Sequence, residues 1–220
     1  MLPPDVTLEV PLWLALATTG VAAIQGAVIG RQSREPRYDI VGAFVLAFVL
    51  GLAGGITRDV LIGNLPVEAI RIPWYIAVVI AVTVLVIVAG RFLPTQGGMW
   101  FTLLDALTMG LYTAIATNYA MAAGVSVVGA VFVGVAAGIA GGLIVALLRG
   151  RTPAVLVPGI AYALTGLAGS IAYVALEPAS PGLAAAACVG LVIFLRYLAV
   201  RFNMGTRALP LLGDPSDQSL

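Results

Sequence analysis

The residues best suited to chemistry lie in one nine-residue stretch, residues 51–59, which reads G-L-A-G-G-I-T-R-D inside a long apolar run. A run of this length predicts a transmembrane helix. Gly54 and Gly55 are adjacent in it, and each glycine within a helix costs about 1 kcal/mol relative to alanine. Arg58 and Asp59 follow at membrane depth, where each charge costs at least about 2.5–3.5 kcal/mol. We expect a chain that tolerates these four residues to use them.

Two interpretations of these residues stay open from the sequence. The glycine pair either lets two helices approach closely or breaks the helix, so that freed carbonyl oxygens line a polar path. Arg58 either extends to the outer interface as an anchor or faces the path as a barrier or gate. Because adjacent side chains point about 100° apart on a helix, we predict that Arg58 and Asp59 do not pair and that each has a partner elsewhere.

The stretch recurs 87 residues later. Residues 41–75 align with residues 128–162 without a gap, and eleven of the thirty-five aligned pairs are identical. The pairs relevant to a site are Gly54/Gly141 and Gly55/Gly142. The charged pair is not repeated, because Val145 and Ala146 occupy the equivalent positions. The sequence therefore predicts a doubled fold whose polar chemistry is concentrated in the first copy.

A second polar group lies in a later apolar run and includes Asp105, Thr108 and Tyr112, followed by Thr113, Thr117 and Asn118. Asp105 and Thr108 share one face of a helix because they are three residues apart. This face either lines the path or has only local roles. In the local interpretation, Asp105 caps the helix or pairs with a cytoplasmic arginine, and the threonine hydroxyl bonds its own backbone.

The composition excludes several functional classes. The 220 residues are 61% hydrophobic and 10% charged, whereas soluble domains carry about 25% charged residues, so we predict a polytopic membrane protein. The chain has no histidine and one cysteine, Cys188, which we expect to be inert packing. Without histidine, a cysteine cluster or an acidic pair at ligand spacing, neither an enzyme nor a metal or organic cofactor is predicted. The net charge of +1 gives no support for nucleic-acid binding.

Seven apolar runs are each close to the length that crosses a bilayer. They lie at about residues 12–30, 40–63, 74–90, 102–123, 127–148, 158–176 and 182–200. We therefore predict a single transmembrane domain over residues 1–203. The polar tail, residues 204–220, is predicted to be disordered.

Arginine placement predicts the orientation of these spans, because cytoplasmic loops are enriched in basic residues. Nine arginines fall on the side of the C-terminus, and Arg71 alone falls on the other. The N-terminus is thus predicted outside and the C-terminus in the cytoplasm. The repeated unit has three spans, an odd number, so its second copy is inverted. The predicted fold class is an all-α integral membrane protein with seven transmembrane helices: inverted three-helix repeats at about residues 12–90 and 102–176, and a seventh helix at about 182–200.

Residues 51–66, which read G-L-A-G-G-I-T-R-D-V-L-I-G-N-L-P, resemble the G-G-G-x-x-R-D-x-L-x-G-x-x-P signature of the trimeric intracellular cation (TRIC) channel family. Residues 103–124 resemble the fourth span of that family. The resemblance implies a homotrimer with one path per subunit for monovalent cations, chiefly potassium. It also implies kinks at the two glycine pairs. This chain departs from the family pattern at Ala53 and Ala140, and Tyr119 stands where many relatives have lysine.

From these observations we predict a potassium-permeable channel of a prokaryotic plasma membrane, with membrane lipids and monovalent cations as its partners. The predicted pore and gating residues are Gly54, Gly55, Arg58, Asp59, Asp105, Thr108, Tyr112, Gly141 and Gly142. A secondary transporter of a small solute such as an amino acid is the alternative, because broken inverted repeats also form transport sites. A scaffold that conducts nothing also stays open.

Overall fold

The computed structural model of the protein describes residues 10–33, 37–89, 97–157, 159–160, 162–202 and 205–206. Helices account for most of this part of the chain. They are α1 (Leu12–Gln32), α2 (Ile40–Ile62), α3 (Glu68–Arg71), α4 (Trp74–Ala89), α5 (Met99–Ala122), α6 (Val127–Leu148), α7 (Tyr162–Leu176) and α8 (Pro181–Arg201). Seven of them coincide with the seven predicted runs. The short α3 is an addition that the hydrophobic pattern does not predict.

The helices differ in their ability to cross a bilayer. Five of them, α1, α2, α5, α6 and α8, are long and apolar enough to span it. The helices α4 and α7 are apolar but have only 16 and 15 residues. A helix of 16 residues covers about 24 Å, somewhat less than the roughly 30 Å of a hydrocarbon core. The number of crossings therefore stays a prediction.

The predicted repeat is visible in how α2 and α6 begin and end. The carboxylate of Asp39 accepts a hydrogen bond from the Gly42 amide at 2.8 Å, and 87 residues later the Ser126 hydroxyl accepts one from the Gly129 amide at 3.2 Å. Such caps satisfy amides that lack a partner within the helix. Each helix also ends beside a left-handed glycine, with φ of 73° at Gly63 and 63° at Gly150. The two copies thus share local start and stop signals.

Within the predicted grouping of three, three and one, the members of each group of three contact one another. The first group is α1, α2 and α4, and the second is α5, α6 and α7. The most extensive contact between the groups joins α2 to α6, and α8 packs on α5 and α7. Cys188 of α8 is buried, as its predicted packing role requires. Whether the second group is inverted across a membrane stays a prediction.

The glycines of α2 and α6 make reciprocal contacts at the junction of the two groups. A Cβ atom at Gly54 would lie 2.9 Å from the carbonyl oxygen of Ala137, and one at Gly141 would lie 3.3 Å from that of Leu50. Ala137 and Leu50 are themselves 87 residues apart. Each glycine thus contacts the repeat equivalent of the residue that the other glycine contacts. Reciprocal contacts of this kind are the pattern produced by a two-fold axis. The close-packing interpretation of these two glycines is therefore confirmed.

Both helices continue through their glycine pairs. α2 is helical from Ile40 to Ile62, and α6 from Val127 to Leu148. The predicted break that frees carbonyl oxygens is therefore wrong for this structure. The reason is that Gly54 and Gly141 allow close approach without loss of helical geometry, so no backbone hydrogen bonds must be given up. A bend within a continuous helix stays a prediction.

A short β-ladder adds to the helical fold. Strand β1 (Gly159–Ile160) pairs antiparallel with β2 (Gly205–Thr206). The all-α prediction lacked this ladder, and the first residues of the supposedly disordered tail are paired in it. Two-residue strands carry no hydrophobic periodicity, so the sequence offered no signal for them. The rest of the tail lies outside the described residues, as do Arg34, Arg91 and Arg207, which contributed to the predicted orientation.

Candidate functional site

Arg58 and Asp59 are buried near the end of α2, with 4% and 1% of their surfaces exposed. Arg58 Nε donates a hydrogen bond to Asp59 Oδ1 at 2.8 Å, and one terminal nitrogen lies 2.7 Å from the same oxygen. The prediction that these neighbours do not pair is therefore wrong. Their Cβ atoms do diverge, but the long arginine stem curls back and brings the guanidinium to the adjacent carboxylate.

Glu68, on α3, supplies the second acid. Its Oε2 atom accepts a hydrogen bond from Arg58 at 2.9 Å, and its backbone amide donates to Asp59 Oδ2 at 2.8 Å. Asn64 donates to the other Asp59 oxygen at 3.3 Å. Asp59 and Glu68 thus meet although they are nine residues apart and Glu68 lies outside the predicted spans. No sequence signal marked Glu68, since only the fold of the loop carries it back to α2.

Two tyrosines complete this group. Tyr75 and Tyr119 each donate a hydroxyl hydrogen bond to Glu68, both at 3.1 Å. The Arg58 guanidinium also lies 3.9 Å from the centre of the Tyr119 ring, within cation–π distance. We call Arg58, Asp59, Glu68, Tyr75 and Tyr119 the outer cluster, following the predicted orientation. With its charged groups ionised it carries a net charge of −1. The expectation that Arg58 has a partner other than Asp59 is confirmed by Glu68, and Arg58 is not an extended interfacial anchor.

An inner cluster of Gln25, Asp105, Tyr162 and Arg196 forms at the opposite end of α5. Asp105 accepts hydrogen bonds from Gln25 at 2.9 Å and from Tyr162 at 3.2 Å, and it pairs with Arg196 at 3.0 Å. The interpretation in which Asp105 pairs with an arginine is thus confirmed. Tyr162 is the repeat equivalent of Tyr75, so each repeat directs the tyrosine at the start of its third helix toward a carboxylate.

Three separate cavities lie between the two clusters. The inner cavity has a volume of about 320 Å³ and is lined by residues that include Asp105, Gly142, Tyr162 and Arg196. The central cavity, about 10 Å³, is lined by residues that include Asp105, Thr108, Tyr112, Gly141 and Gly142. The outer cavity, about 20 Å³, is lined by residues that include Tyr112, Gly55, Arg58, Asp59 and Glu68. The inner and central cavities share Leu50, Asp105, Gly142 and Tyr162, and the central and outer cavities share Tyr112.

Tyr112 separates the central and outer cavities and lines both. Its hydroxyl donates a hydrogen bond to the carbonyl oxygen of Gly51 in α2. Its ring packs so closely on Gly54 that an added Cβ there would lie 2.7 Å from it. Eight of the nine predicted site residues line the three cavities, and the ninth, Gly54, packs against Tyr112. The structure thus brings the predicted residues together, while their roles stay predictions.

The inner cavity is positively charged, in contrast to the outer cluster. Arg149 and Arg151 line it together with Arg196 and the single acid Asp105. Burial, and then the neighbouring charge of Arg151, lower the pKa of Arg149, which lies just beyond the end of α6. At neutral pH the three arginines and one aspartate give a net charge of +2. The two ends of the path therefore differ in the sign of their charge.

Comparison with known proteins places the chain among bacterial membrane proteins. A family model described as "Glycine transporter" matches residues 12–91 and again residues 102–178. The chain belongs to this family. The two matched ranges nearly coincide with the two predicted repeats. Family relatives include the inner membrane protein YadS of Escherichia coli K12, 31% identical over 196 residues, covering 87% of this chain and 92% of that protein. Another is the membrane protein YvgT of Bacillus subtilis 168, which is 30% identical over 165 residues, covering 72% of this chain and 78% of that protein.

Solved structures of prokaryotic TRIC channels have the same fold as this family member. The TRIC orthologue from Rhodobacter sphaeroides superposes with a TM-score of 0.78 at 27% identity, covering 88% of this chain and 98% of the other. A prokaryotic TRIC channel solved in 0.5 M KCl superposes with a TM-score of 0.77 at 22% identity, covering 87% of this chain and 95% of the other. The resemblance to the TRIC family is therefore confirmed, and the chain is a multi-pass membrane protein.

Gly54 and Gly55 are expected to respond differently to replacement by alanine. An added methyl at Gly54 collides with the Tyr112 ring, whereas no atom lies within 4 Å of a Cβ at Gly55. Overpacking costs about 1–3 kcal/mol, against a gain of about 1 kcal/mol in helix propensity. We expect Gly54→Ala to lower the thermal midpoint of the purified protein. Gly55→Ala is expected to keep or raise it while narrowing the outer cavity. Equal midpoints for the two variants would contradict this packing argument.

Proposed function

We propose that the protein is a cation channel, with one ion path in each subunit of a homotrimer. The observation that carries this proposal is the series of three cavities joined by shared residues, with an arginine–carboxylate cluster at each end. The named TRIC cation channels of the same fold support it. In the proposed orientation the N-terminus is outside and the C-terminus is in the cytoplasm of a prokaryotic cell. The reciprocal contacts of α2 and α6 support the inverted repeat that this orientation requires.

Selection for cations is assigned to the outer cluster. Two carboxylates face one guanidinium there, and the excess negative charge attracts cations and repels anions. The tyrosine hydroxyls add neutral oxygen atoms of the kind that replace part of the hydration shell of potassium. Arg58 reduces the negative charge of the cluster from −2 to −1. We infer that this limits how tightly a cation is held, because conduction requires that the ion also leave.

The arrangement corresponds to a closed path. A cavity needs about 10–15 Å³ to hold one water molecule, so the central and outer cavities, at about 10 and 20 Å³, admit roughly one water each. A hydrated ion needs more room than this. Opening therefore requires that the Tyr112 ring leave the gap between the cavities. It also requires that α3, which Glu68 ties to Arg58, move away from the outer end.

The test is electrical recording from the purified protein in planar bilayers, with unequal potassium chloride concentrations on the two sides. We expect unitary currents whose reversal potential is shifted from zero toward the equilibrium potential of potassium. The competing function is a carrier, which the family description "Glycine transporter" favours. A carrier would instead give saturable counterflow of labelled glycine in proteoliposomes without unitary currents. If correctly folded protein gives neither unitary currents nor counterflow, the scaffold interpretation is the one that remains.

A further inference from the structure

The inner cluster follows the plan of the outer cluster with one difference. Each has a tyrosine from the start of the third helix of a repeat, a carboxylate that this tyrosine bonds, and an arginine that pairs with the carboxylate. In the outer cluster that arginine is Arg58 of α2. The equivalent position in α6 holds Val145, and the inner cluster takes Arg196 instead from α8, which lies outside both repeats.

The inner cluster also contains an oxygen atom that the fold leaves unused. Asp105 accepts hydrogen bonds from the Gln25 amide nitrogen at 2.9 Å and from the Tyr162 hydroxyl at 3.2 Å. Because a carboxylate only accepts, the Gln25 nitrogen faces Asp105. Gln25 is 3% exposed, and its oxygen Oε1 is buried with no hydrogen-bond partner among the described residues. A buried acceptor without a partner is unfavourable, so Oε1 has a vacant position for a donor or a cation. All three residues line the inner cavity.

Arg196 is held less firmly than its outer counterpart. Its Nη2 atom bonds Asp105 at 3.0 Å, while its Nε atom is buried without a partner in the described part of the chain. Arg58, in contrast, pairs with two carboxylates. The inner cavity, about 320 Å³, gives the Arg196 side chain room to turn away from Asp105. α8 itself packs closely, since a Cβ atom at Gly169 would lie 2.6 Å from Val192. Rotation of the side chain therefore frees Asp105 more readily than movement of the helix.

We propose that the inner cluster is a binding site for a monovalent cation and that the Arg196 guanidinium is its tethered competitor. The Asp105 carboxylate, Gln25 Oε1 and the Tyr162 hydroxyl oxygen coordinate the ion once Arg196 turns into the inner cavity. Carboxylate and carbonyl oxygens are the groups that bind cations in channels. With Arg196 on Asp105 the pair is neutral, and like charge keeps a second cation out. The role of this site in conduction rests on the proposed function, whereas binding of the ion requires no current.

The test is the thermal midpoint of purified Arg196→Gln as potassium chloride replaces N-methylglucamine chloride at constant total concentration. The midpoint should rise with potassium and reach half of its rise at a potassium concentration at least roughly ten-fold lower than in wild type, because the competing charge is gone. The double variant Arg196→Gln/Asp105→Asn keeps the outer cluster intact and should lack this added response. The same potassium response in the single and double variants would overturn the site.

A matched control separates a tethered competitor from the general charge of the cavity. Arg149→Gln removes one positive charge from the same cavity, but Arg149 is not a hydrogen-bond partner of Asp105 in the described part of the chain. It should keep the potassium response of wild type. If Arg149→Gln lowers the potassium requirement as much as Arg196→Gln does, the competitor role of Arg196 is refuted.

A second measurement does not depend on the folding of the Arg196 variants. Asp105→Asn is expected to reduce the unitary potassium current that enters from the cytoplasmic side at low potassium roughly two-fold or more, because the site that attracts the ion is lost. Current that enters from the outside should change less. An equal reduction in both directions, or none, would contradict the inner site. Absence of current from wild type would refute the proposed channel, while a potassium-dependent midpoint of Arg196→Gln would still support the site.

Discussion

Arg58→Ala is expected to lower the free energy of unfolding by about 3–5 kcal/mol, the cost of removing one partner from a buried ion pair. The reason is that two carboxylates depend on this guanidinium. Arg58 lies 2.7 Å from Asp59 and 2.9 Å from Glu68, and all three residues are less than 10% exposed. Without Arg58 the cluster holds two uncompensated negative charges in a region of low dielectric. The measurement is the thermal midpoint of the purified protein in one detergent.

Two further variants make this result specific. Glu68→Gln in the Arg58→Ala background removes one uncompensated charge, so the double variant should recover part of the lost stability. Arg71→Ala is the matched control, because Arg71 is exposed and donates to Asn64 at 3.0 Å from the rim of the loop. Exposed polar contacts contribute about 0–1 kcal/mol, so the control should stay close to wild type. An Arg58→Ala protein as stable as Arg71→Ala would show that the outer cluster contributes little to folding.

Tyr112→Phe is expected to raise the ratio of open to closed channels roughly two- to twelve-fold, because one hydrogen bond contributes about 0.5–1.5 kcal/mol. The Tyr112 hydroxyl bonds the Gly51 carbonyl and so holds the ring between the central and outer cavities. Phenylalanine keeps the ring and its packing on Gly54 but loses this tie. The measurement is single-channel open probability in symmetric potassium chloride, with the unitary conductance as a second readout.

The control for this experiment is Tyr197→Phe, the same chemical change at an exposed position of α8. It should leave the open probability unchanged. If Tyr112→Phe also leaves it unchanged while the protein folds and conducts, Tyr112 does not gate the path. A change in unitary conductance without a change in open probability would assign Tyr112 to the conducting pathway and contradict its gating role.

Long-range patterns in the sequence predicted the architecture well. The spacing of apolar runs located seven helices, because a helix that faces lipid must be continuously apolar over its length. The 87-residue repeat predicted matching caps and helix ends, and these appear at Asp39 and Ser126 and at Gly63 and Gly150. Such features depend on local sequence and on composition, which a single chain displays directly.

The sequence by itself also determined which residue types occupy the site, since charges and paired glycines are costly within an apolar run and stand out against it. Only the tertiary structure decided their partners. Glu68 reaches Arg58 because the loop after α2 folds back, and Tyr112 meets Gly51 because α5 crosses α2. The length of an arginine stem let Arg58 bond its own neighbour, against a prediction drawn from Cβ directions alone. Contacts of this kind depend on how helices pack, and no periodicity in one segment encodes the position of another.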